Sequence, residues 1–222
     1  MIRAILFDAA GTLIHLPRGV GWHYRQVAAR HGLDLDEKRL GAAFGSAFRA
    51  AGPRVATGIS RPADDKGWWR ALVRKVIGAC EPDLEDAAFE GLFEDLYAHF
   101  AEPGVWALYP EAMAVLEALH GRYRLGVVSN FDRRLYPVLD QLGVRRYFET
   151  IVISSEAGVD KPDGRIFTAA LSALGAAPGE TVLAGDDPEQ DWRAAEAVGM
   201  HVYRVERPGR TLEGLPGYVG SL

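Results

Sequence analysis

The chain has 222 residues, of which 48% are hydrophobic and 25% charged, enough for a folded core and too much apolar material for wholesale disorder. A single cysteine excludes a disulfide framework and a thiol-only metal site. The net charge of −5 argues against a nucleic-acid-binding protein. No run is long enough for a membrane span, and the N-terminus lacks the form of a signal peptide, so we expect a cytoplasmic protein without a membrane partner.

The first predicted element is a short buried strand at residues 3–7, which ends at Asp8 and Gly11. From about 22 to 101 the pattern is helical, because apolar residues recur at i, i+3, i+4 and i+7. The clearest helical runs are 40–48, 69–77 after an N-cap at Asp64, and 89–100 after an N-cap at Asp83. A Glu-Pro-Gly sequence at 102–104 ends this block.

From residue 105 the pattern alternates between helices and strands, which predicts a parallel sheet with helices on both faces. The predicted helices cover 110–120, 133–142, 165–174 and 191–198, and the predicted strands cover 124–128, 150–153, 181–184 and 201–205. The tail, 206–222, is expected to be mostly loop. Because the strand at 3–7 belongs to this sheet, we expect an α/β protein: a three-layer, Rossmann-like core of residues 1–14 and 105–222 with an inserted helical cap domain at 15–104.

Polar residues follow four of the predicted strands. They form the segments Asp8–Thr12, Ser129–Asn130, Lys161–Pro162 and Gly185–Asp191. Each segment alone is ordinary, since turns favour Asp, Gly, Ser and Asn. However, ligands bind beyond the carboxyl ends of the strands in an open parallel sheet. The four segments would together place carboxylates, a hydroxyl and an ammonium at one edge of the sheet.

In this order, the four segments resemble the four motifs of the haloacid dehalogenase superfamily of hydrolases, and the inserted helical block resembles that superfamily's cap of the first type. The runs 129–135 and 161–167 and the pair Trp68-Trp69 are most similar to the branch that contains haloacid-dehalogenase-like hydrolase domain-containing protein three. The resemblance extends over essentially the whole chain. It implies a fold and a superfamily, and it says little about the substrate.

The resemblance implies a set of roles for these residues. Asp8 would be a nucleophile that forms an aspartyl-phosphate, and Thr12, Ser129 and Lys161 would complete the catalytic group. Gly11, Asn130, Trp68 and His15 would contact the substrate. Mg²⁺ would be bound by Asp8, Asp186 and the backbone carbonyl of Ala10, with Asp187 and Asp191 as ligands or as supports of ligands. A divalent cation and one ammonium would allow a carboxylate to approach a phosphate. Backbone amides around Gly11 and Thr12 would add donors to the phosphoryl oxygens.

Ala10 departs from the pattern of the superfamily's phosphatases, which carry a second aspartate at this position as general acid and base. Alanine cannot transfer a proton, and such help is typically worth about 10²–10⁴-fold in rate. One explanation is a phosphatase whose substrate, an acyl or aryl phosphate, has a good leaving group. Alternatively, His15 or His23, both just after the first motif, would replace the missing acid.

Three further interpretations remain open. A metal-independent 2-haloacid dehalogenase also lacks the second aspartate, but that branch has no acids in the fourth motif, and its tyrosine is Phe167 here. A phosphonoacetaldehyde hydrolase needs a cap lysine, for which only Lys38, Lys66 and Lys75 are candidates. A phospho-ligand-binding or interaction protein is the non-enzymatic alternative.

Among these interpretations, the sequence favours a Mg²⁺-dependent phosphatase of a small phosphorylated metabolite, acting as a monomer or homodimer.

Four residues of the helical block are weaker candidates to contact an anionic substrate, because charged side chains on helices usually face solvent. They are Arg18, Tyr24, Arg70 and Arg74.

Overall fold

A computed structural model describes residues 1–52, 54, 56–61 and 64–222. The strands are β1 (Ala4–Phe7), β2 (Ile14–His15), β3 (Ala107–Leu108), β4 (Arg124–Ser129), β5 (Thr150–Ile153), β6 (Thr181–Gly185) and β7 (His201–Arg204). The helices are α1 (Gly19–Arg30), α2 (Glu37–Ala51), α3 (Lys66–Gly78), α4 (Asp86–His99), α5 (Ala112–Leu119), α6 (Leu135–Gln141), α7 (Ser154–Ala157), α8 (Gly164–Leu174), α9 (Ala194–Val198) and α10 (Leu215–Gly220). A π-helix covers Pro188–Arg193, and 3₁₀ turns cover Arg145–Tyr147, Pro178–Glu180 and Leu212–Gly214.

The chain forms two compact units. An α/β unit comprises residues 1–15, the described part of 55–61, and 107–222, and a helical unit comprises the described residues of 16–54 and 62–106. The segment 56–61 was expected in the helical cap, but the structure groups it with the α/β unit. The reason is its backbone, because the amides of Thr57 and Gly58 donate to the Gly158 carbonyl and the Arg61 amide donates to the Ser155 carbonyl.

A five-stranded parallel sheet forms the centre of the α/β unit, in the order β5-β4-β1-β6-β7. Strand β1 lies between β4 and β6 and is wholly buried, as its apolar sequence predicts for a central parallel strand. Its residue Phe7 pairs with Val127 of β4 and Ala184 of β6. The expected α/β fold with a parallel sheet is confirmed, and the ends of β1, β4 and β6 are neighbours.

A second, two-stranded antiparallel sheet joins β2 to β3 in the α/β unit. The sequence did not predict it, because two residues per strand are too few for a periodic pattern. The helix expected at 191–198 begins earlier, as a π-helix capped by the Asp187 side chain. The tail expected to be loop contains α10, whose Leu215 and Val219 are buried.

The helical unit contains α1 to α4, whose apolar stripes meet in one core. Its largest fully buried side chains include Phe89, Phe93, Leu40 and Ile77. The predicted helices are present, but two predicted N-caps are wrong. Helix α3 starts after Asp65, not Asp64, and α4 starts after Glu85, in both cases without a side-chain cap. None of the described helices is long and apolar enough to cross a membrane.

Candidate active site

The three central strands bring the first polar residues together. The Asp8 amide donates to the Ala184 carbonyl at 2.9 Å, which extends the ladder between β1 and β6 by one residue. The Asp8 side chain is buried, and Ser129 at the end of β4 donates through Oγ to Asp8 Oδ1 at 3.3 Å. Asp186 follows the last residue of β6. Residues that are far apart in sequence thus meet because parallel strands end at the same edge of the sheet.

Lys161 supplies the ammonium group at this edge. Its Nζ lies 2.6 Å from Asp8 Oδ1 and 2.6 Å from Asp191 Oδ1, and the residue is only 4% exposed. Burial raises the pKa of Asp8, and the charges of Asp191 and Asp186 raise it further against the opposing effect of Lys161. Burial alone would lower the pKa of Lys161, but the carboxylates of Asp8 and Asp191 hold it above its ordinary value. The ammonium is therefore held in its charged form.

Asp8, Asp186 and Asp191 form a cluster in which one carboxylate oxygen of each lies within 4.8 Å of the others. Fully ionised, the three carboxylates and the ammonium of Lys161 would carry two negative charges in excess, and burial together with this crowding raises the pKa of Asp8 to about 7. Burial and the neighbouring charge of Asp191 raise the pKa of Asp186, as expected where like charges are crowded. Hard oxygen donors with excess negative charge are the donor set that Mg²⁺ prefers, so the residues fit a divalent cation.

The hydrogen bonds show which carboxylate oxygens are available to a ligand. Ser129 and Lys161 both donate to Oδ1 of Asp8, and no other described residue donates to its Oδ2. Thr12 Oγ1 donates to Oδ1 of Asp186 at 3.1 Å, and here too Oδ2 receives no donor from another described residue. Asp8 and Asp186 therefore each present one oxygen without a protein donor.

The carboxylates of Asp187 and Asp191 have different hydrogen-bond partners from those of Asp8 and Asp186. The Asp187 carboxylate accepts from the amides of Glu189 and Gln190, both at 2.8 Å, as the cap of the π-helix. It is not part of the three-carboxylate cluster. Asp191 holds Lys161 with Oδ1 and accepts from the Asp187 amide with Oδ2 at 3.1 Å. The arrangement therefore favours Asp191 as a support of Lys161 and Asp187 as a helix cap.

Two glycines allow these carboxylates to approach the backbone. A Cβ at Gly11 would lie 2.4 Å from Asp186 Oδ2, and its φ of +98° is also one that side chains rarely adopt. A Cβ at Gly185 would lie 2.5 Å from the Asp191 carboxyl carbon. Gly11, predicted to contact substrate, thus already has a structural reason to be glycine.

The loop from Ala9 to Ile14 uses most of its own amides. Gly11 N donates to Ile14 O at 2.8 Å, and the amides of Leu13 and Ile14 donate to Ala9 O at 2.8 and 2.9 Å. The amides of Gly11 and Thr12, which the sequence suggested as donors to a phosphoryl group, are therefore engaged within the loop. Ala10 and Ile14 form an isolated parallel bridge, whose hydrogen bonds are made by Ile14 and by the neighbours of Ala10. The amide and carbonyl of Ala10 itself therefore point away from Ile14.

Asn130 holds the main chain of Lys161. Its Oδ1 accepts from the Lys161 amide at 2.6 Å, and its Nδ2 donates to the Lys161 carbonyl at 2.9 Å and to Gln190 Oε1 at 2.8 Å. Both of its donor hydrogens are thus used within the protein. The structure therefore favours a positioning role for Asn130 over the substrate contact expected from the sequence.

Other candidates lie outside this cluster. His15 stacks on Tyr109, with ring centroids 4.5 Å apart. Trp68 belongs to the helical unit, where its ring lies edge-on to Phe48 and Trp69. His23 also lies in the helical unit and is buried, with Nδ1 3.0 Å from His99 Nε2.

The four weaker candidates of the helical unit have partners there. Arg70 and Arg74 pair with Glu90 and Asp86, Arg18 lies over Trp22, and Tyr24 is buried in the core. These contacts are those of helix-face and core residues.

Arg207 and Tyr109 were missed by the sequence reasoning. Arg207 Nη2 donates to the Thr12 carbonyl at 3.0 Å, and its guanidinium carbon lies 3.4 Å from the centre of the Tyr109 ring. Neither residue lies directly after a buried strand of the large sheet, and only polar residues at such positions were expected at the site. Gln190 was inside a predicted segment but had no predicted role.

Comparison with known proteins agrees with this geometry. A family profile described as hydrolase, haloacid dehalogenase-like hydrolase, matches residues 2–199. The chain belongs to the haloacid dehalogenase-like hydrolases. It is 35% identical to haloacid dehalogenase-like hydrolase domain-containing protein 3 of Bos taurus, over 93% of this chain and 83% of the relative.

Two further similarities extend the comparison. A glyceraldehyde 3-phosphate phosphatase of Methanopyrus kandleri is 29% identical over 93% of this chain and 85% of the relative. The crystal structure of the HAD-hydrolase YfnB from Bacillus subtilis, bound to magnesium, superposes with a TM-score of 0.79 over 99% of both chains at 17% identity. This structural likeness supports the fold.

Proposed function

We propose that this hydrolase is a divalent-cation-dependent phosphatase that acts on a small phosphorylated molecule, with Asp8 as nucleophile. The observation that carries the proposal is the cluster of Asp8, Asp186 and Asp191, whose oxygens lie within 4.8 Å of one another around one ammonium. Two excess negative charges would repel a phosphate dianion, and a bound divalent cation removes that repulsion. The relative from Methanopyrus kandleri, named as a phosphatase of a small sugar phosphate, supports this substrate class.

Asp8, Asp186 and the Ala10 carbonyl would hold the cation, which we take to be Mg²⁺. When bound, the cation supplies charge neutralisation at the phosphoryl oxygens. The Asp8 carboxylate forms a bond from one oxygen to phosphorus while the bond from phosphorus to the leaving oxygen breaks. Water then hydrolyses the aspartyl-phosphate, releasing inorganic phosphate and restoring Asp8.

The neighbours of Asp8 orient it for this attack. Lys161 and Ser129 both donate to Oδ1, which fixes the carboxylate and leaves the lone pairs of Oδ2 for a cation or for phosphorus. Within the described chain, the amides of Ala9 and Ala10 have no protein acceptor, so they are the donors available to a phosphoryl oxygen. This replaces the role that the sequence suggested for the amides of Gly11 and Thr12.

The missing general acid narrows the substrate class. Ala10 offers only a methyl group, and burial together with His99 lowers the pKa of His23 to about 4, so His23 is neutral at pH 7 and a poor proton donor. We therefore propose substrates whose leaving group departs without a proton, such as acyl or aryl phosphates. Such substrates need no replacement for the second aspartate.

A 2-haloacid dehalogenase is the second candidate, because halide also departs unprotonated and Ala10 suits that reaction. The three clustered carboxylates argue against it, since an anionic haloacid would meet the same excess negative charge without a cation. Phe167, at the position of that branch's tyrosine, is fully buried in the core.

The remaining alternatives have less support. Lys38 and Lys75 are exposed, and Lys66 pairs with Glu94 at 2.6 Å, whereas a Schiff-base lysine needs a pKa lowered by burial. A binding protein without turnover would need the same cation site, including the free oxygen of Asp8, so a measurement of turnover separates it from an enzyme.

The decisive experiment is a substrate panel of alkyl phosphates, aryl phosphates, acyl phosphates and 2-haloacids, each assayed with Mg²⁺ and with EDTA. We expect phosphate release that requires Mg²⁺ and is fastest for acyl and aryl phosphates. Halide release in EDTA would favour the dehalogenase. Mg²⁺ binding without any turnover would favour a binding protein. Asp8→Asn is the control, because contaminating phosphatases would survive it.

A further inference from the structure

Arg207 lies after β7, outside the residues 2–199 that the family profile matches. Its Nη2 donates to the Thr12 carbonyl at 3.0 Å and its Nε donates to the Gly11 carbonyl at 3.4 Å. The side chain is 20% exposed, so these bonds form in a largely desolvated place. One guanidinium therefore joins the C-terminal segment to the loop that follows Asp8.

Two other groups fix this guanidinium. Nη2 lies 2.6 Å from Glu111 Oε1, and the same oxygen accepts from the Leu212 amide at 3.3 Å. Burial alone would raise the pKa of Glu111, but Arg207 and the Leu212 amide hold it below its ordinary value. The guanidinium also lies on the face of Tyr109, 3.4 Å from the ring centre, where the ring attracts a cation. Arg207 is thus itself rigidly held.

The loop that Arg207 contacts carries groups of the proposed cation site. Thr12 Oγ1 donates to Asp186 Oδ1, and the Ala10 carbonyl precedes Gly11 directly. The carbonyls of Gly11 and Thr12 accept no hydrogen bond from the described main chain, whereas the carbonyls of Ala9 and Ile14 are used within the loop. Arg207 therefore donates to the two carbonyls of the loop that receive no hydrogen bond from the loop's own amides.

We infer that Arg207 is a positioning residue, which fixes the Ala10–Thr12 loop so that the Ala10 carbonyl and the Thr12-bound Asp186 face one cation. This inference rests on the proposed function. A guanidinium can donate to two carbonyls and a carboxylate in one plane, and a lysine ammonium cannot reproduce that fork. Arg207 contacts the neighbours of the ligands rather than the ligands themselves, and loss of a residue that orients metal ligands typically weakens metal binding about 10–100-fold.

The test compares Arg207→Met with Arg210→Met in the full-length protein. Arg210 is a matched control, because it lies three residues further along the same segment and also stacks on a tyrosine, with its guanidinium carbon 4.4 Å from the Tyr203 ring centre. The first measurement is amide hydrogen exchange of Gly11, Leu13 and Ile14 in EDTA. The second is the dissociation constant for Mg²⁺, measured by calorimetry without substrate.

We expect faster exchange of the three loop amides and at least about a tenfold higher Mg²⁺ dissociation constant in Arg207→Met. Arg210→Met should resemble the unchanged protein in both measurements. Unchanged loop exchange, or unchanged Mg²⁺ affinity alongside faster exchange, would overturn the inference. An unchanged protein that binds no Mg²⁺ would instead overturn the proposed function, while the exchange measurement would still decide whether Arg207 holds the loop.

If Arg207→Met does not fold, Arg207→Lys takes its place. It keeps the charge beside Glu111 and the tyrosine face, so it should fold, yet it can reach only one of the two carbonyls. We expect the same direction of change in exchange and in Mg²⁺ affinity, with a smaller magnitude. Values equal to those of the unchanged protein would contradict the inference.

Discussion

Both units of the protein bury carboxylates, and Asp65 of the helical unit and Asp8 of the α/β unit have different surroundings. In the helical unit, Asp65 is buried and pairs with the buried guanidinium of Arg54 at 3.2 Å. In the α/β unit, Asp8 pairs with Lys161, but Asp191 shares the same ammonium and Asp186 lies in the same cluster. A guanidinium thus lies beside Asp65, whereas at Asp8 three carboxylates share one ammonium.

This difference separates structural from functional burial of charge. A buried pair with matched charge has its desolvation cost offset by its partner, and nothing further is required of it. An excess of buried negative charge lowers stability unless a cation joins it, so its presence indicates a ligand site. The following substitutions test the contrast.

The largest expected effect comes from neutralising each carboxylate. Asp8→Asn should lower phosphatase turnover at least about a thousandfold, because an amide cannot attack phosphorus. Asp65→Asn should leave the turnover number within about threefold and should lower the free energy of unfolding by about 3–5 kcal/mol, because the buried guanidinium of Arg54 loses this carboxylate. Steady-state kinetics and urea unfolding on both variants measure the two effects. Comparable losses of turnover would contradict the division of roles.

A substitution that is expected to raise activity tests the role of Ala10 at the same edge of the sheet. Ala10→Asp adds the carboxylate that the superfamily's phosphatases carry, and general acid–base help is typically worth about 10²–10⁴-fold. We expect a rise within this range for alkyl phosphates and a much smaller one for acyl phosphates, whose leaving group needs no proton. The measurement is kcat on both substrate types. Ala10→Asn is the matched control, because it adds a side chain of the same size that cannot act as a carboxylic acid, and an equal rise of Ala10→Asp with both substrates would refute the leaving-group argument.

Replacing the cationic side chain in either unit, Lys161 or Arg54, should change the stability of the protein in ways that differ in their response to Mg²⁺. In EDTA, Lys161→Met should lower the free energy of unfolding by about 3–5 kcal/mol, because the buried carboxylates lose their ammonium. Arg54→Met should also destabilise, because Asp65 loses a guanidinium and the Trp68 ring loses the cation on its face. Saturating Mg²⁺ should stabilise both variants through the cation site, and Lys161→Met more strongly, because its cluster carries one more uncompensated negative charge. Thermal unfolding at several Mg²⁺ concentrations checks this, and no response to Mg²⁺ in either variant would remove the case for a cation site.

The sequence was sufficient for the residues whose position follows from strand ends. Asp8, Ser129 and Asp186 could be placed together because a buried apolar strand, followed by a polar residue, fixes both the strand and the edge at which it ends. The helical block was equally readable, because apolar residues at 3.6-residue spacing determine which face of each helix is buried.

Other features depend on contacts that local patterns do not encode. Arg207 lies in a segment with no periodicity, and its partners Thr12 and Glu111 are distant in sequence. The roles of Asp187 and Asp191 were not separable either, since only the π-helix determines which of the two faces Lys161. The amides of the loop at 9–14 were misjudged because a tight turn satisfies its own donors in a way that residue types alone do not reveal.

The smallest expected effect concerns a titrating group of the helical unit. Burial and His99 lower the pKa of His23 from 6.5 to about 4, so the folded state binds fewer protons than the unfolded state between these values. Stability from this group is therefore present above pH 6.5 and is lost as the pH falls towards 4. In the unchanged protein, protonation of His23 should lower the free energy of unfolding by about 2 kcal/mol between pH 6.5 and pH 4.

His23→Phe should remove this part of the pH dependence. At pH 7 the variant loses the bond to His99, which costs about 1 kcal/mol, but its stability should fall less steeply between pH 6.5 and 4 than that of the unchanged protein. Urea unfolding at four pH values in EDTA measures the difference between the two slopes, in which the titration of the Asp8 cluster cancels. His31→Gln is the control, because His31 is partly exposed beside Asp95 in the same unit. If the slope is the same in His23→Phe, His23 does not contribute to the pH dependence of the free energy of unfolding.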